Sequence, residues 1–371
     1  MITWLFNLCK LALLCAPLIV AHFANQSRLH DAAARGDIVA ILAALKPWKD
    51  INGLDRNGRS ALALAIERKQ DAAAIFLIQR GAAAVYPGGP RWARQPLDLI
   101  VARGDANLGS ALLQRGQDPN SRLANGRTWL VATVERRDGE MVKQLLAAGA
   151  DVNLAGAASS PTPLQAALSD SFGPGGFGAQ SVARGVAIAE TLVAAGARVT
   201  VDAQTERALR SGIAILGQPP AAVGLPRLKF LIEHGYPLEP GTPGGGPLQA
   251  AAMMGNPEAV EYLLAKGADP SGGTPACGTP VCSANLTPLH VAVFNRPDAR
   301  AGDRYRRVVQ MLLAAGADPD ARDRNGRTPR ELAIQHENLD LADLLQAASA
   351  TRAAIVRGET GANGVAAAPS K

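Results

Sequence analysis

A short segment recurs along this chain, and it constrains the fold more than any other feature of the sequence. The sequence LLAAGAD at residues 145–151 returns as LLAKGAD at residues 263–269 and as LLAAGAD at residues 312–318. Weaker copies end at four further glycines, namely Gly81, Gly116, Gly196 and Gly235. Self-similarity with a period of about 20–50 residues predicts a repeat architecture, in which stacked units bury a shared core.

A second motif precedes the first at a regular distance. Its fullest copy is TPLHVA at residues 287–292, with relatives at residues 29–33, 162–164, 247–251 and 328–329. Threonine can cap a helix, proline suits the first helical position, and a glycine after the last turn ends a helix. Asn-Gly pairs at residues 57–58, 125–126 and 325–326 predict tight hairpins. Each unit is therefore predicted as a β-hairpin, helix A, a turn and helix B.

The two motifs together resemble the ankyrin repeat family over residues 27–346, in about nine units. The resemblance implies an all-α, ankyrin-repeat solenoid that binds another protein through a concave groove formed by hairpin tips and the ends of helices A. It also implies that His30 and His290 link neighbouring loops. By position, the protein-binding groove would include Arg56, Arg59, Arg68, Lys69, Asn125, Arg127, Arg136, Arg137, Met253, Met254 and Phe294. Met253 and Met254 could equally be packing residues.

Composition and motifs argue against other function classes. The net charge of +6 is spread along the chain and aromatic residues make up 4%, so a basic stripe with stacking aromatics, typical of nucleic-acid binders, is missing from the sequence. The glycine-rich residues 173–178 lack the lysine of a phosphate-binding loop. The sequence holds neither a nucleophile elbow nor metal-ligand spacing. We therefore predict a monomer with no enzymatic activity, no cofactor, no metal and no nucleic-acid partner.

The amino terminus differs in kind from the repeats. Residues 11–21 form an apolar run, which is short for a membrane helix but suits a secretory signal peptide. We expect a signal peptide at residues 1–24, with an uncleaved membrane anchor or a buried first helix as the alternatives, a repeat domain at 25–346 and a disordered tail at 347–371. The protein would be periplasmic or secreted, or else membrane-anchored. Beyond a general binding role, it could be an immunity protein that neutralises a toxic lipase-type effector, or a secreted effector directed at a host.

Three insertions fall between helix A and helix B of a unit, at residues 169–185, 215–226 and 295–306. Such loops would emerge on one edge, where they could form a binding rim or reflect neutral drift. A fourth insertion lies in a hairpin and holds Cys277 and Cys282. The remaining cysteines, Cys9 and Cys15, lie in the presumed signal, so we predict a disulfide between Cys277 and Cys282 rather than a zinc site.

Overall fold

The computed structural model describes residues 28–45, 50–86, 94–157, 160–169, 179–200, 225–239, 245–273, 285–294 and 302–357. Over these ranges the regular structure is helical, and the sole β feature is an isolated antiparallel bridge between Arg122 and Thr128. Residues 28–35 are helical, and sixteen named helices follow in chain order. These are α1 (Ile38–Ala44), α2 (Ala61–Glu67), α3 (Asp71–Gln79), α4 (Pro96–Arg103), α5 (Ala106–Gln114), α6 (Trp129–Glu135), α7 (Gly139–Ala147), α8 (Pro163–Leu168), α9 (Ala179–Ala194), α10 (Leu225–Glu233), α11 (Pro247–Met253), α12 (Pro257–Ala265), α13 (Pro288–Ala292), α14 (Gly302–Ala314), α15 (Pro329–Gln335) and α16 (Leu339–Val356).

The helices alternate as the repeats predict, which confirms an all-α solenoid. Helices A are residues 28–35 and then α2, α4, α6, α8, α11, α13 and α15. Helices B are α1, α3, α5, α7, α9, α10, α12, α14 and α16. The number of repeats stays a prediction, because helix A before α10 would fall in residues 201–224, outside the described residues.

The chain divides into two compact units. Unit 1 holds α1 to α7, most of α8 and the end of α9, and unit 2 holds the start of α9 and α10 to α16. In unit 1, helices A pack on one another and helices B do the same, so α4 contacts α2 and α6. The repeated leucines form the core: Leu62, Leu97 and Leu145 in unit 1, and Leu248 and Leu263 in unit 2, are each 0% exposed. Burying one such side chain stabilises the fold by about 1.5–3 kcal/mol.

The structure confirms the capping and termination of helices that the two motifs predict. The hydroxyl groups of Thr287 and Thr328 cap α13 and α15, each followed by proline at the first helical position. Gly149 and Gly267, which follow α7 and α12, adopt φ values of 90° and 92°. L-residues with a Cβ rarely adopt this backbone conformation, so glycine at these positions ends helix B at low energetic cost.

The predicted hairpins are turns without strands in the part of the chain that the structure describes. The Gly58 N–H donates to the Asp55 carbonyl at 3.0 Å, and the Asp55 N–H donates to the Arg59 carbonyl at 2.8 Å. Gly58 has a φ of 72°, whereas the φ of Asn57 is not positive. The turn is therefore a type I turn followed by a left-handed glycine, not the type I′ turn that an Asn-Gly pair favours.

Two of the insertions lengthen helices instead of forming loops throughout. Helix α9 begins at Ala179, inside the insertion at 169–185, and α14 begins at Gly302, inside the insertion at 295–306. The predicted rim is therefore partly helical at both sites. Residues 215–224 lie outside the described ranges.

The carboxyl-terminal boundary also differs from the expectation. The structure places residues 347–356 in α16, although the composition of this segment predicts disorder from residue 347. Alanine, the strongest helix former, recurs over this stretch and extends the helix without an apolar stripe. Arg352 forms an ion pair with Asp318, and the Ser349 hydroxyl donates to Asp320 at 2.8 Å, so the extension is tied to the preceding turn.

Three predictions fall on residues outside the described ranges: the amino-terminal segment at 1–24, the Cys277–Cys282 pair and the part of the tail at 358–371. Within those ranges, no helix has both the length and the apolar character that crossing a bilayer requires.

Candidate functional site

A cavity of about 530 Å³ opens on the helix A face of unit 1. Helices α4 and α6 and the turn at residues 123–127 line it, and it is open to solvent. Its volume lies within the 300–1,000 Å³ range that is usual for ligand sites. The lining residues are Asp98, Val101, Ala102, Leu123, Ala124, Asn125, Arg127, Ala132, Glu135 and Arg136.

A part-buried ion pair lies in the wall of this cavity. Arg127 Nη1 donates to Glu135 Oε2 at 2.7 Å, and the Glu135 side chain is 6% exposed. The other carboxylate oxygen, Oε1, has no hydrogen-bond partner among the described residues. Burial raises the pKa of Glu135 above its ordinary value, while the charges of Arg127 and Arg137 oppose that rise. The site therefore holds a carboxylate whose acceptor capacity is only half used.

A second carboxylate lines the same cavity. Asp98 on α4 accepts a hydrogen bond from the Ala124 N–H at 3.1 Å, which fixes the turn against the helix. Burial raises the pKa of Asp98, and the Ala124 hydrogen bond opposes the rise. Asp98 thus links helix A of one repeat to the turn of the next.

The structure brings three of the predicted groove residues together at this cavity: Asn125, Arg127 and Arg136. Asn125 is exposed and its Oδ1 accepts from the Arg127 N–H at 3.0 Å. Arg136 is half-buried after the last turn of α6. Sequence reasoning missed Asp98 and Glu135.

A recurring signal could have found Glu135. An acidic or amide side chain stands eight residues after the arginine of the turn in three repeats, as Glu67, Glu135 and Gln335. Each contacts that arginine: Arg59 Nη1 lies 3.6 Å from Glu67 Oε2, and Arg327 Nη1 donates to Gln335 Oε1 at 3.2 Å. The pairing joins the turn to the end of helix A.

Other predicted groove residues of unit 1 divide into exposed and internally bound groups. Arg56, Arg68 and Lys69 are exposed. Arg59 is half-buried and binds Asp55 through its side chain, with Nε donating a hydrogen bond to Asp55 Oδ2 at 2.9 Å. Burial alone would raise the pKa of Asp55, but hydrogen bonds from Arg59 and Asn57 hold it below its ordinary value.

Arg137 also acts inside the molecule. Its Nη1 donates to the carbonyls of Ala166 and Ala167 at 3.2 and 2.6 Å, at the end of α8. The guanidinium therefore closes the last turn of the next helix A, which leaves those donors unavailable to a partner.

The predicted residues of unit 2 lie at the ends of α11 and α13, two helices that contact each other. Met253, Met254 and Phe294 are half-buried. The Tyr305 hydroxyl, from the lengthened α14, donates to the Met253 carbonyl at 3.0 Å. Phe294 meets His336 edge-on, with ring centroids 5.4 Å apart.

The two histidines of the second motif link neighbouring loops as the resemblance implies. His30 Nε2 lies 3.1 Å from the carbonyls of Gly53 and Arg59 in the next repeat. His290 Nε2 lies 3.1 Å from the Arg327 carbonyl. Over the ranges described, no three His, Cys, Asp or Glu side chains are close enough to hold a metal ion.

Comparison with known proteins identifies the repeats. A family model described as ankyrin repeats (3 copies) matches residues 221–323. An ankyrin repeat-containing protein of Treponema pallidum is 36% identical over 97 residues, which are 26% of this chain and 32% of that protein. An ankyrin repeat protein of Pyrobaculum aerophilum is 35% identical over 89 residues, or 24% of this chain and 27% of the relative.

This chain covers a larger share of a human relative. Cyclin-dependent kinase inhibitor 2A is 35% identical over 124 residues, which are 33% of this chain and 69% of the human protein. By contrast, the chain spans about a third of the length of the Treponema protein.

Proposed function

This chain belongs to the ankyrin repeat family, and on that premise we propose that it is a non-catalytic module that binds another protein through the helix A face of unit 1. Ankyrin repeats support a role in protein–protein interaction. The observation that carries the site is the cavity between α4 and α6, which three predicted groove residues line beside a buried carboxylate that has one oxygen without a hydrogen-bond partner among the described residues. A concave site with apolar walls and a few convergent polar groups suits the burial of a partner side chain.

Exposed cations that flank α2, the helix A packed against α4, extend the proposed contact surface. Arg68 and Lys69 follow α2, and Arg56 lies on the turn before it. Exposed guanidinium groups around an apolar centre are a common composition of binding surfaces. Arg59, Arg127 and Arg137 serve the fold through their internal partners, so we assign them a supporting role.

Site-specific photo-crosslinking tests this assignment. A photoreactive amino acid would replace Arg68 or Ala124 on the helix A face, and Lys143 or Gln79 on helices B as matched controls; all four positions are exposed. We expect one discrete protein adduct from the first pair and none from the second. Equal adducts from both pairs, or adducts from the controls alone, would contradict the proposal.

We also propose that the protein is exported. The apolar run at residues 11–21 followed by polar residues supports a signal segment. Export would place Cys277 and Cys282 in an oxidising compartment, where a disulfide would form. Mass spectrometry of the non-reduced protein from the cell envelope tests both ideas, because an intact Met1 contradicts cleavage and two free thiols contradict the bridge.

Export bears on which kind of binding protein this is. A protein in the envelope or outside the cell could neutralise a toxic lipase-type effector, whereas a host-directed effector would act elsewhere. The identity of the crosslinked protein separates the two, since a secreted lipase favours the immunity role and a host protein favours the effector role.

A further inference from the structure

The cavity between α4 and α6 combines apolar walls with a buried acceptor, and we propose that it takes a tryptophan or tyrosine side chain of the protein partner. The inference rests on the proposed function and deepens it by naming the chemistry of the partner. It follows from the shape of the site, from one unsatisfied oxygen and from the balance of charge around that oxygen.

The walls fit a flat apolar group. Val101, Leu123 and Ala132 contribute aliphatic surface to the cavity, whose volume is about 530 Å³. Aromatic side chains gain much of their binding free energy from burial against such surface, and they carry little conformational entropy into a complex. An indole or phenol ring could therefore occupy this space between the two helices.

The buried acceptor selects a ring that carries a donor. Glu135 is 6% exposed and its Oε1 has no hydrogen-bond partner among the described residues. Buried polar atoms in folded proteins almost always have a partner, so this oxygen can accept a hydrogen bond from a donor supplied by the binding partner. The last torsion of a glutamate is soft, so a small rotation of the carboxylate would turn Oε1 towards the cavity. An indole N–H or a phenol O–H would then donate to it.

The charge balance argues for a neutral donor over a cation. The Glu135 carboxylate already faces Arg127 at 2.7 Å, and Arg137 acts on it electrostatically. Arg136 lines the same cavity. A lysine or arginine of the partner would meet these guanidinium groups, and only Asp98 would remain to offset the repulsion. An aromatic ring would instead gain from a neighbouring guanidinium over its face.

Titration of the full-length protein with single-residue probes tests the proposal. The probes are N-acetyl-tryptophanamide, N-acetyl-phenylalaninamide and N-acetyl-argininamide, followed by NMR chemical-shift changes. We expect the tryptophan probe to bind with a dissociation constant on the order of 1 mM. The phenylalanine probe should bind roughly tenfold more weakly, because a hydrogen bond to a charged group is worth at least that factor. The arginine probe should bind more weakly than the tryptophan probe.

Two variants locate the binding. Ala102 is exposed at the edge of the cavity, so Ala102→Trp should fill it and abolish probe binding, whereas Ala147→Trp, on an exposed position of α7, should leave binding unchanged. Glu135→Gln should weaken the tryptophan probe severalfold and leave the phenylalanine probe unaffected. Glutamine is tolerated here on structural grounds, since Gln335 accepts from Arg327 at the equivalent position.

Each contrary outcome overturns the proposal. Equal affinity for tryptophan and phenylalanine would remove the donor role, tighter binding of the arginine probe would make the cavity cation-selective, and no binding would leave the cavity without this ligand. A different result would refute the proposed function. Face-selective crosslinks without probe binding would refute only the aromatic anchor, whereas probe binding without such crosslinks would refute only the interaction face.

Discussion

Individual residues at the ends of helices A adopt a left-handed backbone, and some of them are not glycine. Gly36 and Gly104 have φ values of 76° and 67° at this position, while Lys69, Arg137 and Glu337 have values of 57°, 60° and 58°. A residue with a Cβ pays about 1 kcal/mol or more for this conformation. Such strain persists only where other interactions compensate for it, and Arg137 shows how.

Lys69→Gly and Arg137→Gly should therefore have different effects. Lys69 is exposed, so its replacement relieves backbone strain of about 1–2 kcal/mol against an entropic cost of glycine of about 0.5–1 kcal/mol, and it should raise the free energy of unfolding by about 0.5–1 kcal/mol. Arg137→Gly relieves the same strain but removes the hydrogen bonds to the carbonyls of Ala166 and Ala167, so it should give no net gain. Chemical denaturation measures both, and equal stabilisation would mean that the Arg137 hydrogen bonds contribute nothing.

His290 shows how a single side chain holds two repeats together. It is 0% exposed, its Nδ1 accepts from the Thr287 N–H at 3.2 Å, and its Nε2 lies 3.1 Å from the Arg327 carbonyl. Burial lowers the pKa of His290 below its ordinary value of 6.5, although the Arg327 hydrogen bond opposes that shift. Protonation would put an N–H opposite the Thr287 N–H, so the neutral ring is the stabilising form.

The stability of unit 2 should consequently fall in mild acid. The folded state binds fewer protons at His290 than the unfolded chain does, so stability is lost as the pH falls below about 6.5. His290→Gln is a matched control, because Gln249 makes the same contacts, accepting from the Gly246 N–H at 2.9 Å and donating to the Gly272 carbonyl at 2.8 Å. Thermal unfolding between pH 8 and 5 should show a steeper decline for the natural protein than for the variant. Parallel curves would exclude His290 as the cause.

At the scale of elements, the two motifs predicted most helices because their leucines and caps recur at fixed positions. Leu62, Leu97 and Leu248 lie where the repeat register predicts core positions, and all are fully buried. The lengthening of α9 and α14 was not predicted, because each insertion interrupts the repeat register from which the helix positions follow. Asp98 and Glu135 were not predicted as site residues, because their role depends on their burial at a cavity. The spacing of residues along the chain carries no information about that burial.

The extension of α16 escaped prediction for a different reason. Residues 347–356 carry no apolar periodicity, and Ile355 and Val356 are 61% and 80% exposed. Helix propensity and contacts to the preceding turn, made by Ser349 to Asp320 and by Arg352 to Asp318, account for the helix instead of core burial.

Truncation after Gln346 should therefore have a small, local effect. Exposed ion pairs contribute about 0–1 kcal/mol, so the free energy of unfolding should fall by no more than about 1 kcal/mol. Hydrogen exchange should quicken in α16 and in the turn around Asp318 and Asp320. Ser349→Ala combined with Arg352→Ala should reproduce most of the change in the full-length chain. A loss of several kcal/mol would instead imply that residues 347–356 belong to the core.

At the scale of the whole molecule, the contacts determine how far a defect spreads. Each helix contacts mainly helices of its own repeat and of the neighbouring repeats. For example, α4 contacts α2, α5 and α6, and α12 contacts α11 and α14. In such an array, stability is a sum of terms within repeats and terms between neighbouring repeats. The division into two compact units means that a defect in one need not weaken the other.

Leu97→Ala and Leu263→Ala test this independence. Both leucines are 0% exposed, one in α4 of unit 1 and one in α12 of unit 2, and each truncation should cost about 2–5 kcal/mol locally. Because contacts run between neighbours, Leu97→Ala should accelerate hydrogen exchange in α2 to α7 and leave α11 to α16 protected. Leu263→Ala should give the reciprocal pattern. If either variant accelerated exchange in both units equally, unfolding would be a single cooperative event, and the nearest-neighbour account of this chain would be wrong.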